Sequence, residues 1–221
     1  MHILEAADKK IIMEEFPKKY QESSIFDFDI SSIEKYLKAR EQLDKEPFFN
    51  VFEERQVYVR LSGYVVVTKQ LCRALAGYIG EARVLEVMSG KGVLAKGLRE
   101  EGVNIKPTDD YSWGMSQAAW IDDIEKIDAI AAIQKYAKDM DFLIIGWPPM
   151  GNYIDEIIEA TKRCNKNIKI IYIGEGAGGC TGDGNFWGNT IDAEDEEFSC
   201  VVQSYKTWRG IHDSVYLRKV K

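Results

Sequence analysis

The stretch Arg83-Val84-Leu85-Glu86-Val87-Met88-Ser89-Gly90-Lys91-Gly92 limits what this chain can fold into more than any other. Val84, Leu85 and Val87 make a short apolar run, a glycine-containing turn follows, and Val93, Leu94, Ala95 and Leu98 then recur at helical spacing. The pattern predicts a strand, a tight turn and a helix. Gly90 and Gly92 let the main chain approach a ligand closely, and the N–H groups and positive dipole end of the helix behind them suit a negative group. Glu86 is the residue out of place. A carboxylate in a buried strand needs a partner, and a cationic ligand just beyond the strand end would supply one.

Two ligand classes fit this turn. Gly90 to Ala95 satisfies the dinucleotide fingerprint with alanine in the last position, and Asp109 stands 19 residues after Gly90, where an acid would meet ribose hydroxyls. That reading makes the chain an NAD-dependent oxidoreductase. The acid inside the strand favours another. Val84-Leu85-Glu86-Val87 with Ser89-Gly90-Lys91-Gly92 resembles motif I of the class I S-adenosylmethionine-dependent methyltransferases, with Met88 where that family has its first glycine. An α/β turn that binds nothing is the remaining alternative.

The rest of the chain bears on the choice. At 221 residues it is long enough for one large domain, and 45% hydrophobic with 29% charged residues describes a globular protein. A net charge of −7 argues against gripping long duplex nucleic acid, leaving a small molecule, a nucleotide base or a protein side chain as acceptor. Cys72, Cys164, Cys180 and Cys200 are widely separated and only two histidines accompany them, so no metal site is expected and the thiols are read as reduced. No apolar run reaches ~18 residues, and charges interrupt the first thirty, so a cytoplasmic protein without membrane contact is expected.

Residues 1–64 read as an N-terminal helical extension or lid. Phe26, Phe28 and Ile30 suit an extended arm; Ser31 to Glu34 offers a capping box for a helix carrying Ile33, Tyr36, Leu37 and Leu43; Pro47 ends it. Residues 65–221 form the main domain. Leu71, Leu75, Tyr78 and Ile79 lie on one helical face closed by Gly80. Residues 103–108 read as a second strand delivering Asp109 and Asp110, followed by Tyr111 and Trp113. Asp128 caps a third helix, and Ala129 follows it. Residues 141–146 are a continuously apolar strand ending in Gly146, after which Trp147-Pro148-Pro149-Met150 must make a rigid turn. A fifth strand, 168–173, leaves through the glycine-rich loop 174–184, mobile or tightly folded, which carries Glu175. The acidic run from Asp192 to Glu197 reads as a solvated face, His212 as a surface histidine, and the segments 198–205 and 214–220 as a closing antiparallel hairpin.

The resemblance extends over residues 65 to 220 and implies a seven-stranded, mostly parallel Rossmann-like methyltransferase sheet with a C-terminal antiparallel hairpin. It also implies a cofactor, S-adenosylmethionine, and places residues around it. Glu86 would face the methionine ammonium; Met88, Ser89, Gly90 and Gly92 would line the turn near its carboxylate. Asp109 or Asp110 would hold the ribose, Tyr111 and Trp113 would wall the adenine, and Asp128 and Ala129 would meet its amino group, with Gly146 also among the cofactor-binding residues. Pro-Pro resembles motif IV of the amino-methyltransferases, but Trp147 replaces the polar residue and Met150 the aromatic. Trp147, Pro148 and Glu175 are therefore the candidate catalytic residues for an acceptor of unidentified type, and Arg60 and Tyr64 candidate lid residues. The departure at Trp147 also keeps open a module of the same fold that binds the cofactor without turnover.

Overall fold

The computed structural model describes residues 55, 58–59, 62–113, 119–182, 184–208 and 210–221. The expectations for the arm, for the helix capped by Ser31 and for Arg60 lie outside them. The chain divides into two compact units, 1–63 and 64–221, and the second carries the whole of the sheet.

The motif stretch folds as its pattern requires. Strand β1 (Arg83–Val87) is buried from Val84 onward, and helix α2 (Val93–Glu100) starts directly behind Gly92. Before them runs α1 (Lys69–Ile79), whose first turn is capped by the Thr68 hydroxyl accepting from the Leu71 amide, and which Gly80 ends with φ 58°. After them come β2 (Asn104–Asp109), the short β3 (Glu125–Lys126), α3 (Ala129–Tyr136), β4 (Phe142–Gly146), α4 (Tyr153–Cys164) and β5 (Lys169–Glu175). The chain ends with α5 (Gly184–Asn189), β6 (Thr190–Asp192), α6 (Ser199–Ser204) and β7 (Asp213–Val220).

The strands lie in the order β3-β2-β1-β4-β5-β7-β6, with β7 antiparallel to both its neighbours and the rest parallel. This is the Rossmann-like, seven-stranded, mostly parallel sheet expected from the sequence. Chain order reverses between β1 and β4, so their carboxyl ends flank the crevice where open α/β sheets take ligands.

Helices cover both faces. Alternation along β1 sends Leu85 and Val87 into a core with Ala132 and Ile133 of α3, Ile157 and Ile158 of α4, and Phe186 of α5. Val84 and Glu86 consequently face the other layer, where α1 packs against α2 and α6. Full burial of Leu85, Leu143, Ile144 and Ile145 contributes about 1.5–3 kcal/mol each and fixes the β1/β4 register, Glu86 opposite Ile144 and Val87 opposite Ile145.

Two expectations are corrected at the C-terminus. Residues 198–205 do not form a strand: Ser199–Ser204 is helical, burying Val201 and Ser204 three residues apart, a helical rather than a period-two spacing. The strand that completes the antiparallel pair with β7 is β6, which lies just before the acidic run and shares only Asp192 with it. That acidic run is not simply solvated either. Asp192 pairs with the buried Arg218, and Asp195 accepts from Tyr78 Oη (2.6 Å) and Lys169 Nζ (3.1 Å).

Candidate functional site at the carboxyl edge of the sheet

Glu86 sits one residue from the end of β1 and is 5% exposed. Its Oε2 has no hydrogen-bond partner among the described residues. Burial, reinforced by the Asp109 carboxylate, pushes its pKa up to about 8, against the weaker pull of Arg99. Arg99 makes no ion pair with it. The guanidinium is committed to Asp123 at 2.6 and 2.9 Å and to the Ile105 carbonyl at 3.1 Å.

The turn behind β1 is closed by its own side chains. Asp109, at the end of β2, accepts from the Gly90 amide through Oδ2 and from the Tyr111 amide through Oδ1, both at 2.7 Å. Ser89 is tied to the Thr108 carbonyl through its amide (3.0 Å) and hydroxyl (3.1 Å), and the Gly92 amide donates to the Ser89 carbonyl at 2.9 Å. Gly92 has φ 73°, and a Cβ there would meet Ile121 and Ile124 side chains at 2.7–2.8 Å, so glycine is required. Burial raises the pKa of Asp109, while the Tyr111 and Gly90 amides favour its charged form. Each oxygen that accepts one amide keeps a second lone pair for a ligand hydroxyl. Asp110 instead accepts from the Ser112 amide at 2.8 Å.

On the other side of β2, Asp128 caps α3. Both amides, of Ile130 and Ala131, fall on its Oδ1 at 3.0 Å, which leaves Oδ2 outside the cap. Tyr153, which the sequence did not single out, brings its hydroxyl beside the Ala129 and Ile130 amides and into the field of Asp128 and Asp110. Gly146 closes β4, and a Cβ on it would strike Val65 at 2.8 Å.

Non-glycine residues with left-handed backbone mark this edge. Met88 (φ 55°), Tyr111 (φ 58°) and Trp147 (φ 48°) follow β1, β2 and β4 respectively. Met88 thus adopts the conformation that a glycine would take freely, at a cost of about 1–2 kcal/mol, and Trp147 does the same. Trp147 is half-buried and held on two sides. Its indole N–H donates to Asp213 Oδ2 at 2.9 Å, and its ring stacks on Tyr64 with centroids 5.4 Å apart and an interplanar angle of 17°. Asp213 also accepts from the Tyr205 hydroxyl at 2.5 Å and from the Thr207 hydroxyl. Asp213 was not legible in the sequence, because only the β5/β7 pairing, Glu175 opposite Asp213, brings residue 213 to this edge.

The glycine-rich loop is tightly folded. Glu175 Oε2 accepts from the Cys180 amide at 2.6 Å and Oε1 from the His212 amide at 3.4 Å; the Cys180 amide above all holds the Glu175 pKa below the usual carboxylate range. The Thr181 hydroxyl accepts from the Glu175 amide (2.7 Å) and bonds the Tyr172 hydroxyl (2.8 Å). Gly174 and Gly179 are needed for close approach, since a Cβ on either would lie 2.6 Å from Thr181 Oγ1 or 2.4 Å from Glu175 Cβ. The Gly182 amide donates to the Pro148 carbonyl at 3.3 Å, joining the loop to the Pro-Pro turn. Glu86, Met88, Ser89, Gly90, Gly92, Asp109, Asp110, Tyr111, Asp128, Ala129, Gly146, Trp147, Pro148 and Glu175 therefore all stand at or just beyond the carboxyl edge of the sheet.

No protein-family model matches the sequence, and no curated protein matches it. Among solved structures the fold is similar to TehB from Haemophilus influenzae, at 11% identity over 68% of this chain and 61% of that one, with a TM-score of 0.42. It is similar also to a SAM dependent methyltransferase from Archaeoglobus fulgidus (16% identity, 75% and 68% of the two chains, TM-score 0.40). A third is human N-acetylserotonin methyltransferase in complex with SAM (14% identity, 79% and 58%, TM-score 0.43). The chain spans about three fifths of the length of the first and third of these. No helix among the described residues is long and apolar enough to cross a membrane.

Proposed function

We propose that the carboxyl edge binds S-adenosylmethionine and that the protein is a methyltransferase. The observation that carries this reading is Glu86. A buried carboxylate with an unpartnered oxygen is costly, and an ammonium ion arriving over the end of β1 is the complement it lacks. The residues present fit the rest of that molecule. Asp109, with Asp110 beside it, offers lone pairs to ribose hydroxyls; Tyr111 flanks the base; Asp128 Oδ2 and Ala129 meet an amino-substituted ring. Met88, Ser89, Gly90 and Gly92 form the turn at the amino-acid end, with Gly146 on the neighbouring strand.

When bound, the cofactor supplies an electrophilic methyl group on a sulfonium. The chain's own part is to orient it, to exclude water with Trp147 and the loop behind Pro148, and to hold an acceptor in line. Glu175 belongs to the acceptor side. A carboxylate kept charged by the Cys180 amide is a contact for an acceptor's donor group more readily than a base for its proton.

The dinucleotide reading is weaker on the same geometry. Its pyrophosphate needs free amides at the turn, whereas the Gly90 amide is held by Asp109 and the turn lies beside two carboxylates. A binding module without turnover keeps one point in its favour: the Trp147 N–H is engaged by Asp213 and the Pro148 carbonyl by Gly182, so neither is fully free to hold an acceptor. Calorimetric titration with S-adenosylmethionine and with NAD tests the proposal. Saturable binding of the first and not the second is expected; preference for NAD would refute it. Transfer of labelled methyl to any acceptor then separates enzyme from binding module.

A further inference from the structure

We infer that residues Tyr64 to Thr68 form a strap over the Glu86 carboxylate, and that a ligand reaches or leaves Glu86 only while the strap is lifted from the end of β4. The inference rests on the reading that the carboxyl edge binds S-adenosylmethionine. It adds the path by which that ligand enters and the contact that closes behind it.

The need for a moving part follows from burial. Glu86 is 5% exposed and its unpartnered Oε2 is sealed from solvent, so an ammonium cannot meet it until something that covers it moves. Register shows on which face the cover lies. Glu86 stands opposite Ile144, and alternation puts Gly146, two residues on along β4, on the same face. What Gly146 meets there is Val65: a Cβ on residue 146 would lie 2.8 Å from Val65 Cγ2. Behind it on that face stands α1, whose Cys72 thiol lies in the field of the Glu86 carboxylate. The chain therefore enters α1 by crossing the carboxyl end of the layer that holds Glu86.

The segment is built to open and to return. It belongs to no strand or helix, so lifting it breaks no sheet ladder. At one end the Thr68 hydroxyl accepts from the Leu71 amide and fixes the start of α1. At the other, Gly63 has φ 97° with open space where a side chain would stand, a pivot that only glycine supplies freely. Two side-chain contacts fasten it to the end of β4, Val65 on Gly146 and the Tyr64 ring stacked on Trp147 with centroids 5.4 Å apart. Val66 and Val67 are buried, and their return from water drives closure. A segment of this kind sets the rates at which a ligand enters and leaves.

The test joins the strap to β4 with Val65→Cys and Gly146→Cys together. The Cβ of residue 65 is one bond back from the atom that meets residue 146, within reach of the about 3.5–4.5 Å between Cβ atoms that a disulfide spans. The exposed Cys180 and Cys200 are changed to serine so that they do not compete. Binding of labelled S-adenosylmethionine is followed by rapid filtration in the reduced and oxidised forms of this one protein. Oxidation before the ligand is added should slow association about tenfold or more, oxidation after loading should slow release by as much, and reduction should restore both. Equal rates in the two forms overturn the inference. Should the pair fail to form or the variant fail to fold, Val65→Ala decides: a looser contact should raise the association and dissociation rate constants together, about threefold to tenfold. Unchanged rates overturn the inference, as does faster dissociation alone, which would make Val65 an ordinary ligand contact. A native chain that does not bind S-adenosylmethionine overturns instead the underlying assignment of the cofactor.

Discussion

The two edges of the sheet treat charge in opposite ways. At the amino edge, charged groups find each other: Lys169 at the start of β5 pairs with Asp195 and Tyr78, and Asp141, just before β4, accepts from the Arg83 amide at 2.8 Å and pairs with its side chain. At the carboxyl edge, the acids Glu86, Asp109, Asp128, Glu175 and Asp213 have no lysine or arginine ion pair among the described residues, and the four of them that are hydrogen-bonded accept from amides, hydroxyls or an indole. Three of the four described left-handed non-glycine residues stand there too; the fourth, Glu194, adjoins Asp195. The amino edge satisfies its charged groups with one another, while the carboxyl edge leaves these acids without a basic ion-pair partner among the described residues.

Replacing one acid at the carboxyl edge should therefore stabilise the free protein, which is the largest expected effect and the opposite of the usual result. The unfolded chain releases the Glu86 proton near pH 4.5, whereas the fold retains it to about pH 8. The stability linked to that retained proton is full below pH 4.5 and is lost as pH rises through 8. Glu86→Gln removes the loss. Urea unfolding should show the variant more stable than the native chain by roughly 3–5 kcal/mol above pH 8 and equal to it at pH 4, with cofactor binding much weakened. A variant less stable at pH 8 would mean that Glu86 has an internal partner.

Glycines at the two edges give the next contrast. Gly92→Ala places a Cβ against Ile121 and Ile124 at a positive φ and should cost about 2–4 kcal/mol. Gly102→Ala, between α2 and β2 at the amino edge, has φ 89° but open space around it, and should cost only about 1 kcal/mol. Equal losses in denaturant unfolding would show that crowding at the turn behind β1 is not the constraint.

The smallest effect belongs to the paired edge. Arg83 and Asp141 are about half exposed, 3.8 Å apart, so Arg83→Ala should change stability by no more than about 0.5 kcal/mol and leave ligand binding unaltered. An altered affinity for S-adenosylmethionine would break the separation between the edges.

Much of this was readable from residue order because its causes are local. The Val84–Val87 run, the glycines behind it, the Asp128 cap and the Thr68 to Gly80 helix each follow from spacing and turn chemistry within about ten residues. What escaped depends on pairing across the chain. Strand β6 is three residues long, too short to show a period, and exists because Thr190–Asp192 pairs with Val220–Arg218. Val201 and Val202 have strand-like propensity, yet burial of Val201 and Ser204 against α1 and β7 makes that segment a helix. Asp213 lay in a stretch that reads as a polar link, and only the antiparallel return of β7 brings it under Trp147.

Proton counting is the most direct test of the central claim, that Glu86 is held uncharged until a cation arrives. Calorimetric titration of S-adenosylmethionine at pH 7, repeated in buffers of different ionisation enthalpy, should show about one proton released per ligand bound by the native chain, and none by Glu86→Gln. Binding without proton release, or equal release by both proteins, would contradict it.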